Sequence, residues 1–345
     1  MEQAVDRFDR QIEIDGRLVG ETAPVYVIAE AGVAHFGVEE KAYRLVDLAM
    51  EAGADAVKFQ IFDVDALIAQ SLPQWRERLS SRRLPYEAFV RIQAYCRERG
   101  ITFFATAHDE PSLEFLASLD VPVYKVGSGE VGNWPYLKRV AGLGKPLIFS
   151  TGMYRLEQVG EALEAVAEAG NRQVAVLHCV TRYPTPPEEV SLGNIALLRE
   201  KFKVLAGYSD HTHGYHIPLV AVALGARIIE KHISLDFNVP DANDWKVSCG
   251  PHDLGEFIRQ LREVEAALSV RESGPTAGEQ ENLVWAGKSL VAVRGLPAGT
   301  VLTKDNLAAK RPGTGISPAF LDSVIGRTVL VDLDRDALIT WESLQ

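Results

Sequence analysis

Cysteine, long apolar runs and positive charge are all scarce in this sequence. Only 3 of its 345 residues are cysteine, Cys96, Cys179 and Cys249, which is too few for a disulfide framework or a zinc site built from thiolates. No uninterrupted apolar stretch is long enough to span a bilayer. The 36 basic and 47 acidic side chains give a formal net charge of −11, so we expect neither nucleic acid nor an anionic membrane as a partner.

The amino-terminal segment is charged and lacks the apolar core of a signal peptide. Together with the few cysteines, this favours a reducing cytoplasm as the location. Hydrophobic residues make up 47% of the sequence and charged residues 24%. That balance is ordinary for a globular protein and excludes a wholly disordered or fibrous chain.

Short apolar segments rich in β-formers alternate with amphipathic helical segments from residue 25 onward. Strands that read as near-continuous apolar runs between helices indicate a parallel sheet covered by helices. Eight of them predict an α/β fold with a closed (β/α)₈ TIM barrel. Before the barrel, residues 11–19 predict a β-hairpin that turns at Asp15 and Gly16. The eight segments are 25–31, 56–62, 101–107, 122–128, 146–152, 174–181, 204–211 and 226–234.

Composition also divides the chain into domains. Residues 269–283 are polar and rich in turn-forming residues, which is typical of an interdomain linker. We therefore predict a barrel domain over 1–270, a linker over 271–283 and a small β-rich domain over 284–345. The connection 63–90 is long for a barrel loop and predicts a lid or a subunit-contact segment.

Reactive side chains stand at the carboxyl end of each predicted barrel strand. One such residue is more often a satisfied structural group, but barrel enzymes build their active sites from several strand ends at this face. The whole set therefore predicts an active site. Its members are Glu30, Lys58, Gln60, Thr106, Lys125, Ser128, Glu130, Ser150, Thr151, His178, Thr181, Ser209, Asp210, His211, Lys231 and His232.

Two lysines and three hydroxyls within this set suit an anion. Lys58 and Lys125, with Ser128, Ser150 and Ser209, could bind a phosphate or a carboxylate. A Schiff-base lysine, as in metal-free aldolases, is the alternative reading. One isolated lysine would favour that chemistry, whereas two lysines with hydroxyls favour anion binding.

Two histidines on neighbouring strands suggest a metal site. His211 and His232 could hold Mn²⁺, Mg²⁺, Fe²⁺ or Zn²⁺ and leave positions for substrate and water. The histidines within 210–216 form a competing local cluster. His178 and Cys179 resemble a nucleophile pair, but adjacent strand residues point to opposite faces, so we interpret Cys179 as a small buried apolar residue.

Carboxylates and one arginine complete the candidates. Glu30 and Glu130 could bind a sugar hydroxyl or move a proton. Asp241 and Asp244 follow the eighth strand, where they either cap a loop or contact polar substrate groups. Arg311 lies in a loop stiffened by proline and glycine, which suits a reaching ligand contact if the small domain caps a barrel.

These residues fall into ordered motifs that resemble the sialic acid synthase family, which includes N-acetylneuraminate synthases and their legionaminate, pseudaminate and spore-coat relatives. The likeness runs from about residue 11 to 343, and the carboxyl-terminal domain resembles the SAF, or antifreeze-like, domain. The motifs are IAEAG (28–32), VKFQ (57–60), YKVGSGE (124–130), STGM (150–153), HCVTRYPTP (178–186), SDHT (209–212), EKHIS (230–234) and KRPGTGISP (310–318).

The resemblance implies condensation of phosphoenolpyruvate with the open-chain aldehyde of an N-acyl aminosugar, which gives a nonulosonic 2-keto acid and phosphate. It also implies Mn²⁺ or Mg²⁺ on His211 and His232, and a domain-swapped homodimer in which Arg311 reaches the partner's barrel. The phosphoenolpyruvate contacts it implies are Lys58, Thr106, Lys125, Ser128, Ser150, Thr181 and Ser209. The residues it places near the sugar or a metal-bound water are Glu30, Gln60, Tyr183 and Asp244.

Some segments depart from the family pattern. Thr181 stands where the family usually has Asn, and the loop after the eighth strand is about one residue longer and carries Trp245. These changes lie around the acceptor, so the sugar stays open and a synthase acting on another aldehyde is an alternative. A Schiff-base pyruvate aldolase is the second enzymatic alternative. A binding or ice-interacting protein that uses the SAF-like domain is the non-enzymatic one.

Overall fold

The structure is a computed structural model that describes residues 7–240, 242–270 and 273–345. The chain forms two compact units, Met1–Ser269 and Val270–Gln345. The predicted domain limits stay predictions, and residues 271 and 272 of the predicted linker lie outside the described residues.

A two-stranded hairpin precedes the barrel. Strands β1 (Gln11–Ile14) and β2 (Arg17–Gly20) pair antiparallel. Asp15 and Gly16 between them have φ values of +51° and +75°, the left-handed backbone that a two-residue hairpin turn requires. The predicted hairpin is therefore confirmed.

Eight parallel strands then close into a barrel within the described part of the chain, as predicted. They are buried along almost their whole length, which explains their near-continuous apolar sequences. The strands are β3 (Tyr26–Gly32), β4 (Ala56–Ile61), β5 (Thr102–Ala107), β6 (Tyr124–Val126), β7 (Leu147–Ser150), β8 (Val174–Cys179), β9 (Leu205–Asp210) and β10 (Ile228–His232).

Strand register brings the reactive side chains to one level of the barrel. Where β10 closes on β3, His232 pairs with Glu30, and Glu30 in turn pairs with Lys58 on β4. Gly207 permits a close approach on the other side of β10. A Cβ atom at Gly207 would lie 2.5 Å from the Ile228 carbonyl oxygen and 2.5 Å from Leu177 Cδ2, so only glycine fits there.

Helices cover the outside of the barrel. Helix α1 is typical, because it buries Ala42, Leu45, Val46 and Ala49 along one amphipathic stripe. Each described helix falls short of the length and apolar character that crossing a bilayer demands. The helices of this unit are α1 (Glu39–Glu51), α2 (Val64–Leu67), α3 (Pro73–Ser80), α4 (Tyr86–Arg99), α5 (Glu110–Ser118), α6 (Trp134–Ala141), α7 (Leu156–Glu168), α8 (Pro187–Val190), α9 (Gly193–Phe202), α10 (His216–Ala223) and α11 (Leu254–Ala267), with 3₁₀ turns at Ser128–Glu130 and Asp244–Val247.

The long connection after β4 is more ordered than its sequence predicted. Residues 63–90 hold α2, α3 and the first turn of α4 rather than a single loop. Pro73 begins α3, where its missing N–H group costs no helical hydrogen bond. The sequence signal for α3 is therefore a proline at the start of a helix.

The second unit has its own small core, built around Leu290, Leu302 and Ile339. Its first helix occupies part of the predicted linker, because Thr276 and Glu279 form a reciprocal capping box at the helix start. The elements are α12 (Ala277–Ala286), β11 (Ser289–Ala292), β12 (Leu307–Lys310) and α13 (Leu321–Val324), with 3₁₀ turns at Lys304–Asn306, Pro318–Phe320 and Trp341–Ser343. Strands β11 and β12 pair antiparallel.

Candidate active site

A cavity of about 370 Å³ opens where the barrel strands end. That volume lies near the lower end of the ~300–1,000 Å³ range of small-molecule sites, so it suits small ligands. The predicted site residues on its wall are Glu30, Lys58, Gln60, Thr106, Lys125, Ser128, Ser150, Thr181, Tyr183, Ser209, His211, His232 and Asp244.

Two lysines and two glutamates occupy the base of this cavity, and all four are at least 95% buried. Lys58 Nζ lies 2.7 Å from Glu30 Oε2 and 3.7 Å from Glu230 Oε2. Lys125 Nζ lies 3.7 Å from Glu230 Oε1. Each ammonium group therefore has a carboxylate partner in the low-dielectric interior, which makes the burial of these charges possible.

Hydroxyl and amide groups hold these charged side chains in place. Lys125 Nζ donates to Ser150 Oγ at 2.8 Å, and Lys58 Nζ lies 3.3 Å from Thr106 Oγ1. Ser209 Oγ donates to Glu230 Oε1 at 3.0 Å. The side chains at the base of the cavity thus form a connected hydrogen-bond network whose donors and acceptors can also bind a ligand.

The two glutamates have pKa values shifted in opposite directions. Burial raises the pKa of Glu30, and the nearby Glu230 carboxylate raises it further, against the effect of Lys58. Burial also opposes ionisation of Glu230, but Lys125 and Lys58 outweigh it and lower the pKa of that carboxyl. Two carboxyl groups with divergent pKa values commonly divide acid and base roles. Burial likewise lowers the pKa of Lys125.

Glu230 is a site residue that sequence reasoning missed. Only Lys231 and His232 are predicted site residues at the end of segment 226–234, and the prediction of an anion site at Lys58 and Lys125 includes no carboxylate partner. The carboxylates of Glu230 and Glu30 instead match their charge. A signal was available, because Glu230 and His232 are two residues apart on β10 and must share one face of the strand.

His211 and His232 come together as predicted, with ring centroids 5.3 Å apart. His211 Nδ1 lies 2.7 Å from the Val180 carbonyl oxygen. A carbonyl only accepts, so Nδ1 carries the proton and Nε2 keeps a free lone pair, the usual arrangement of a metal-ligating histidine. The tyrosine ring of Tyr183 packs 4.0 Å from the His211 ring.

These two imidazoles are the residues that could hold a divalent ion, with further positions left for substrate and water. Among the described residues, no group of three or more His, Cys, Asp or Glu side chains is arranged to hold a metal. The competing cluster in 210–216 is therefore wrong. His213 is exposed, and its Nδ1 lies 3.3 Å from the Lys246 carbonyl oxygen.

A buried ion pair supports the segments that carry both histidines. Lys231 Nζ donates to Asp210 Oδ2 at 2.5 Å and to the Thr212 carbonyl oxygen at 3.0 Å. Asp210 Oδ1 also accepts from the hydroxyl of Tyr208 at 2.9 Å and from the backbone N–H of Thr212 at 3.0 Å. Asp210 and Lys231 were predicted as strand-end site residues, but they link β9 to β10 and do not line the cavity.

His178 faces away from this cavity, in agreement with strand alternation. Its ring bonds to the Val190 carbonyl oxygen, and it lines a separate cavity of about 450 Å³ together with Thr151. Cys179 is buried, as expected, but its thiol faces the cavity at the strand ends with Sγ 3.7 Å from His211 Nδ1. Burial would raise the pKa of this thiol, but His211 and Lys125 outweigh burial and lower it.

Glu130 does not line the cavity. Glu130 ends the 3₁₀ turn after β6, where its Oε2 accepts from Asn133 Nδ2 at 2.6 Å and burial raises the pKa of the carboxyl. Arg311 lies in the second unit with its guanidinium carbon 5.3 Å from the centre of the Trp285 ring. The roles assigned to Glu130 and Arg311 stay predictions, and Asp241 lies outside the described residues.

The cavity wall also includes residues that sequence reasoning did not select. Trp75, Arg78 and Arg82 come from α3 and the turn that follows it. His108 follows β5, and burial lowers its pKa to about 4 with help from the two nearby lysines. Only the prediction of a lid over 63–90 indicated that this segment could approach the site.

Comparison with known proteins agrees with this geometry. Residues 45–273 match the NeuB family and residues 287–345 match the SAF domain. The chain is 36% identical to N,N'-diacetyllegionaminic acid synthase of Campylobacter jejuni, covering 91% of this chain and 98% of that protein. It is 34% identical to N-acetylneuraminate-9-phosphate synthase of Homo sapiens, with 95% and 94% covered. A solved N-acetylneuraminic acid synthetase from Leptospira borgpetersenii superposes with a TM-score of 0.73 at 30% identity, covering 79% of this chain and 94% of that one.

Proposed function

This chain belongs to the NeuB family, and on that premise we propose that it condenses phosphoenolpyruvate with the open-chain aldehyde of an N-acyl aminosugar. The products would be a nonulosonic 2-keto acid and inorganic phosphate. Relatives named as synthases of sialic-acid-type sugars support the class of product. The observation that carries the proposal is one cavity lined by two buried lysines, several hydroxyls and two neighbouring imidazoles.

Phosphoenolpyruvate would sit at the base of the cavity. Its phosphate and carboxylate groups need cations and hydroxyl donors in a water-poor site. Lys58 and Lys125 supply the cations, and Ser128, Ser150 and Ser209 supply hydroxyl groups on the same wall. The hydroxyl groups of Thr106 and Thr181 line the same cavity, and we assign them to the same ligand.

The acceptor aldehyde would lie beside His211 and His232. Mn²⁺ or Mg²⁺ held by these imidazoles would polarise the aldehyde oxygen as a Lewis acid. Tyr183 and Asp244 line the same part of the wall and offer a hydroxyl and a carboxylate to the sugar. The bond between His211 Nδ1 and the Val180 carbonyl oxygen supports this role, because it leaves Nε2 available to a metal.

Glu30 would move the proton in this reaction. As C3 of phosphoenolpyruvate bonds to the aldehyde carbon, the aldehyde oxygen needs a proton and C2 becomes cationic. Glu30, whose raised pKa favours its protonated form, would donate that proton and then accept one from the water that adds to C2. Gln60 Nε2 donates to Glu30 Oε1 at 2.9 Å and fixes its orientation.

The adduct formed by water addition is a hemiketal phosphate. Its collapse breaks the bond between C2 and the bridging oxygen, leaves a ketone and releases phosphate with the hemiketal proton. The ammonium groups of Lys58 and Lys125 would stabilise the negative charge on the departing phosphate throughout. Glu230, whose lowered pKa keeps it ionised, would hold both lysines protonated.

Phosphate release from phosphoenolpyruvate tests this proposal. With Mn²⁺ and a panel of N-acyl aminosugars, we expect phosphate release that depends on the sugar, stops in chelator and returns when metal is added. The His232→Ala variant should lose Mn²⁺ binding, measured by calorimetry, and turnover while keeping its circular dichroism spectrum. Release of no phosphate with any sugar, or wild-type turnover in His232→Ala, would refute the proposal.

A Schiff-base aldolase is the second candidate, because burial lowers the pKa of Lys125 and so favours a neutral, nucleophilic amine. Borohydride reduction in the presence of pyruvate would trap a covalent adduct on that lysine. An adduct found by mass spectrometry, with activity that persists in chelator, would favour the aldolase over the synthase.

We further propose a cytoplasmic, domain-swapped homodimer. In this arrangement Arg311 of one protomer would contact the N-acyl group of a sugar bound in the partner's barrel. The support for it is the family membership and the match of residues 287–345 to the SAF domain.

A further inference from the structure

We infer that His108 is a further residue of the phosphoenolpyruvate site, and that its imidazole takes up a proton from solvent when the phosphate group of this ligand binds. This role rests on the proposed function, because it concerns the binding of one substrate in the same cavity. His108 lines the wall of that cavity, and the reaction outlined above gives it no task.

Backbone pairing holds His108 as a continuation of β5. Its N–H group donates to the Ile61 carbonyl oxygen at 3.1 Å, directly after the last register pair of β4 with β5. Because side chains alternate along an extended strand, His108 shares a face with Thr106, which we assign to phosphoenolpyruvate. A Cβ atom at Gly127 would lie 3.8 Å from His108 Cε1 and 3.9 Å from Thr106 Cγ2. The two side chains therefore approach the same spot beside Gly127.

The imidazole of His108 makes no hydrogen bond with any of the residues that the structure describes. Its side chain is half-buried on the cavity wall, so a bound ligand is the partner available to it. The adjacent carboxylate of Asp109 is already engaged, because Oδ1 accepts from the Ser112 N–H group at 2.8 Å and Oδ2 from the Asp63 N–H group at 2.7 Å. The ring nitrogens of His108 are thus left for the ligand.

The charged groups at the base of the cavity are matched before any ligand binds. Lys58 Nζ lies 2.7 Å from a carboxylate oxygen of Glu30, and Lys125 Nζ lies 3.7 Å from one of Glu230. Phosphoenolpyruvate brings a carboxylate and a phosphate, and both are ionised near neutral pH. Burial of these negative charges is costly unless further positive charge lies close to them. A proton on His108 would supply such a charge.

The charges that act on His108 come from the strands on either side of β5. Burial lowers the pKa of His108 to about 4, and the ammonium groups of Lys58 on β4 and Lys125 on β6 act in the same direction. The carboxyl groups and the α3 arginines on the cavity wall have no comparable effect on this pKa. A phosphate bound beside the imidazole would counter the two lysines, because an opposite charge favours the protonated ring.

This proton uptake gives the affinity for phosphoenolpyruvate a defined dependence on pH. Binding raises the pKa of His108 above about 4, so affinity increases as the pH falls from the pKa of the complex towards that of the free protein. One linked proton changes the dissociation constant by at most about tenfold per pH unit. The proton returns to solvent when phosphate leaves, so none is consumed in a reaction cycle.

Calorimetric titration with phosphoenolpyruvate, and separately with inorganic phosphate, tests the inference. Titrations with Mg²⁺ present, at pH 6 and pH 8 and in two buffers of different ionisation enthalpy, give the number of protons taken up with each ligand. At pH 6 we expect the wild-type protein to take up more protons than His108→Phe, by up to one per site. At pH 8 this difference should shrink. The proton exchanged by the ligand itself cancels, because both proteins bind the same ligand.

His108→Phe keeps an aromatic ring but has no donor or titratable group. At pH 6 it should raise the Kd and the KM for phosphoenolpyruvate ~10- to 100-fold, the usual range for loss of one charge-assisted contact, and leave the KM for the sugar unchanged. His108→Gln keeps an N–H donor that does not titrate, so it should regain part of the affinity at pH 8 and none of the extra proton uptake. His252→Phe is the matched control, because His252 is exposed and lies outside the cavity wall.

Equal proton uptake by the wild-type protein and His108→Phe at pH 6 would overturn the inference. An unchanged Kd for phosphoenolpyruvate in that variant, or a rise only in the KM for the sugar, would do the same. If His108→Phe does not fold, proton uptake by His108→Gln decides in its place. Binding of phosphoenolpyruvate without turnover on any sugar would contradict the proposed function alone, and the proton count would still decide the role of His108.

Discussion

At the scale of single residues, the cavity is defined by a contrast between two carboxyl groups. Glu30 and Glu230 lie on neighbouring strands and both contact Lys58, yet burial raises the pKa of Glu30 while Lys125 and Lys58 overcome burial and lower that of Glu230. The Glu30 carboxyl group is therefore protonated more readily than an ordinary glutamate, whereas the Glu230 carboxyl group stays charged.

The pH dependence of turnover should follow Glu30. If this residue donates a proton, kcat falls as the pH rises through its raised pKa, because the protonated form is then lost. The Glu30→Gln side chain has no acidic proton to donate. We therefore expect kcat to fall ~100-fold or more and the decrease of kcat at alkaline pH (the alkaline limb) to disappear. Steady-state phosphate release from pH 5 to 9 measures both effects. Glu40→Gln on α1, an exposed glutamate, is the control, and an alkaline limb that persists in Glu30→Gln would assign the proton to another group.

The individual site residues were predictable to the extent that they stand at strand ends. Lys58, His211 and their companions could be found because polar side chains are costly inside an apolar strand. Glu230 obeys the same rule and could have been found. Arg78 could not, because an arginine on a polar helix looks like any solvated surface residue until the fold places it against a cavity.

At the scale of elements, strand register explains why distant residues meet. Parallel pairing sets His232 beside Glu30, and Glu30 beside Lys58, so three motifs about 30 to 200 residues apart in sequence become neighbours. The regular recurrence of apolar segments predicts the strands. The right-handed crossovers of a closed (β/α)₈ barrel predict their order. The helices between 63 and 90 were not predictable in the same way, because α3 buries no residue fully and carries no apolar stripe.

The buried link between β9 and β10 should be important for stability. Lys231→Met would leave the Asp210 carboxylate buried without its cation, and loss of one partner of a buried ion pair costs ~3–5 kcal/mol. Denaturant unfolding followed by circular dichroism should show that loss of unfolding free energy. A second substitution, Asp210→Asn, should restore part of it in the Lys231→Met background.

An exposed ion pair provides the comparison for that measurement. Lys138 and Glu168 are 2.8 Å apart with about half of each side chain exposed, and such pairs contribute little. Lys138→Met should leave the unfolding midpoint unchanged. Equal effects of Lys138→Met and Lys231→Met would show that the link between β9 and β10 has no special role.

At the scale of the whole molecule, a net charge of −11 coexists with a cavity that suits anions. What the cavity binds depends on the charged groups on its wall, so a negative total charge does not exclude small anionic substrates. The charged side chains on the cavity wall are Lys58, Lys125, Arg78, Arg82, Glu30, Glu230 and Asp244.

The proposed exchange of SAF domains predicts complementation between inactive variants. Arg311→Ala lacks the arginine offered to the partner, and His232→Ala lacks a barrel ligand. In a mixed dimer one site combines an intact barrel with an intact Arg311, so random mixing should restore activity at about a quarter of the sites. Phosphate release after co-refolding measures it, and light scattering should give twice the chain mass.

Two variants that are both defective in the barrel provide the control for the mixing experiment. His211→Ala mixed with His232→Ala should regain little activity, because each of the two barrels in every dimer still lacks one imidazole. If Arg311→Ala and His232→Ala form mixed dimers that regain no more activity than this control, the domain exchange is wrong.

Folding and turnover make different demands on the four ionisable side chains at the base of the cavity. Desolvation of Lys58, Lys125, Glu30 and Glu230 takes place once, when the chain folds, and need not be repeated in each reaction cycle. Buried ion pairs can often be replaced by apolar side chains without loss of stability. Joint replacement of Glu30 and Lys58 by apolar residues of similar volume should therefore leave the barrel as stable as before, or more so, and inactive. These four side chains are thus needed for the reaction and not for the stability of the fold, which is a stability–activity trade-off.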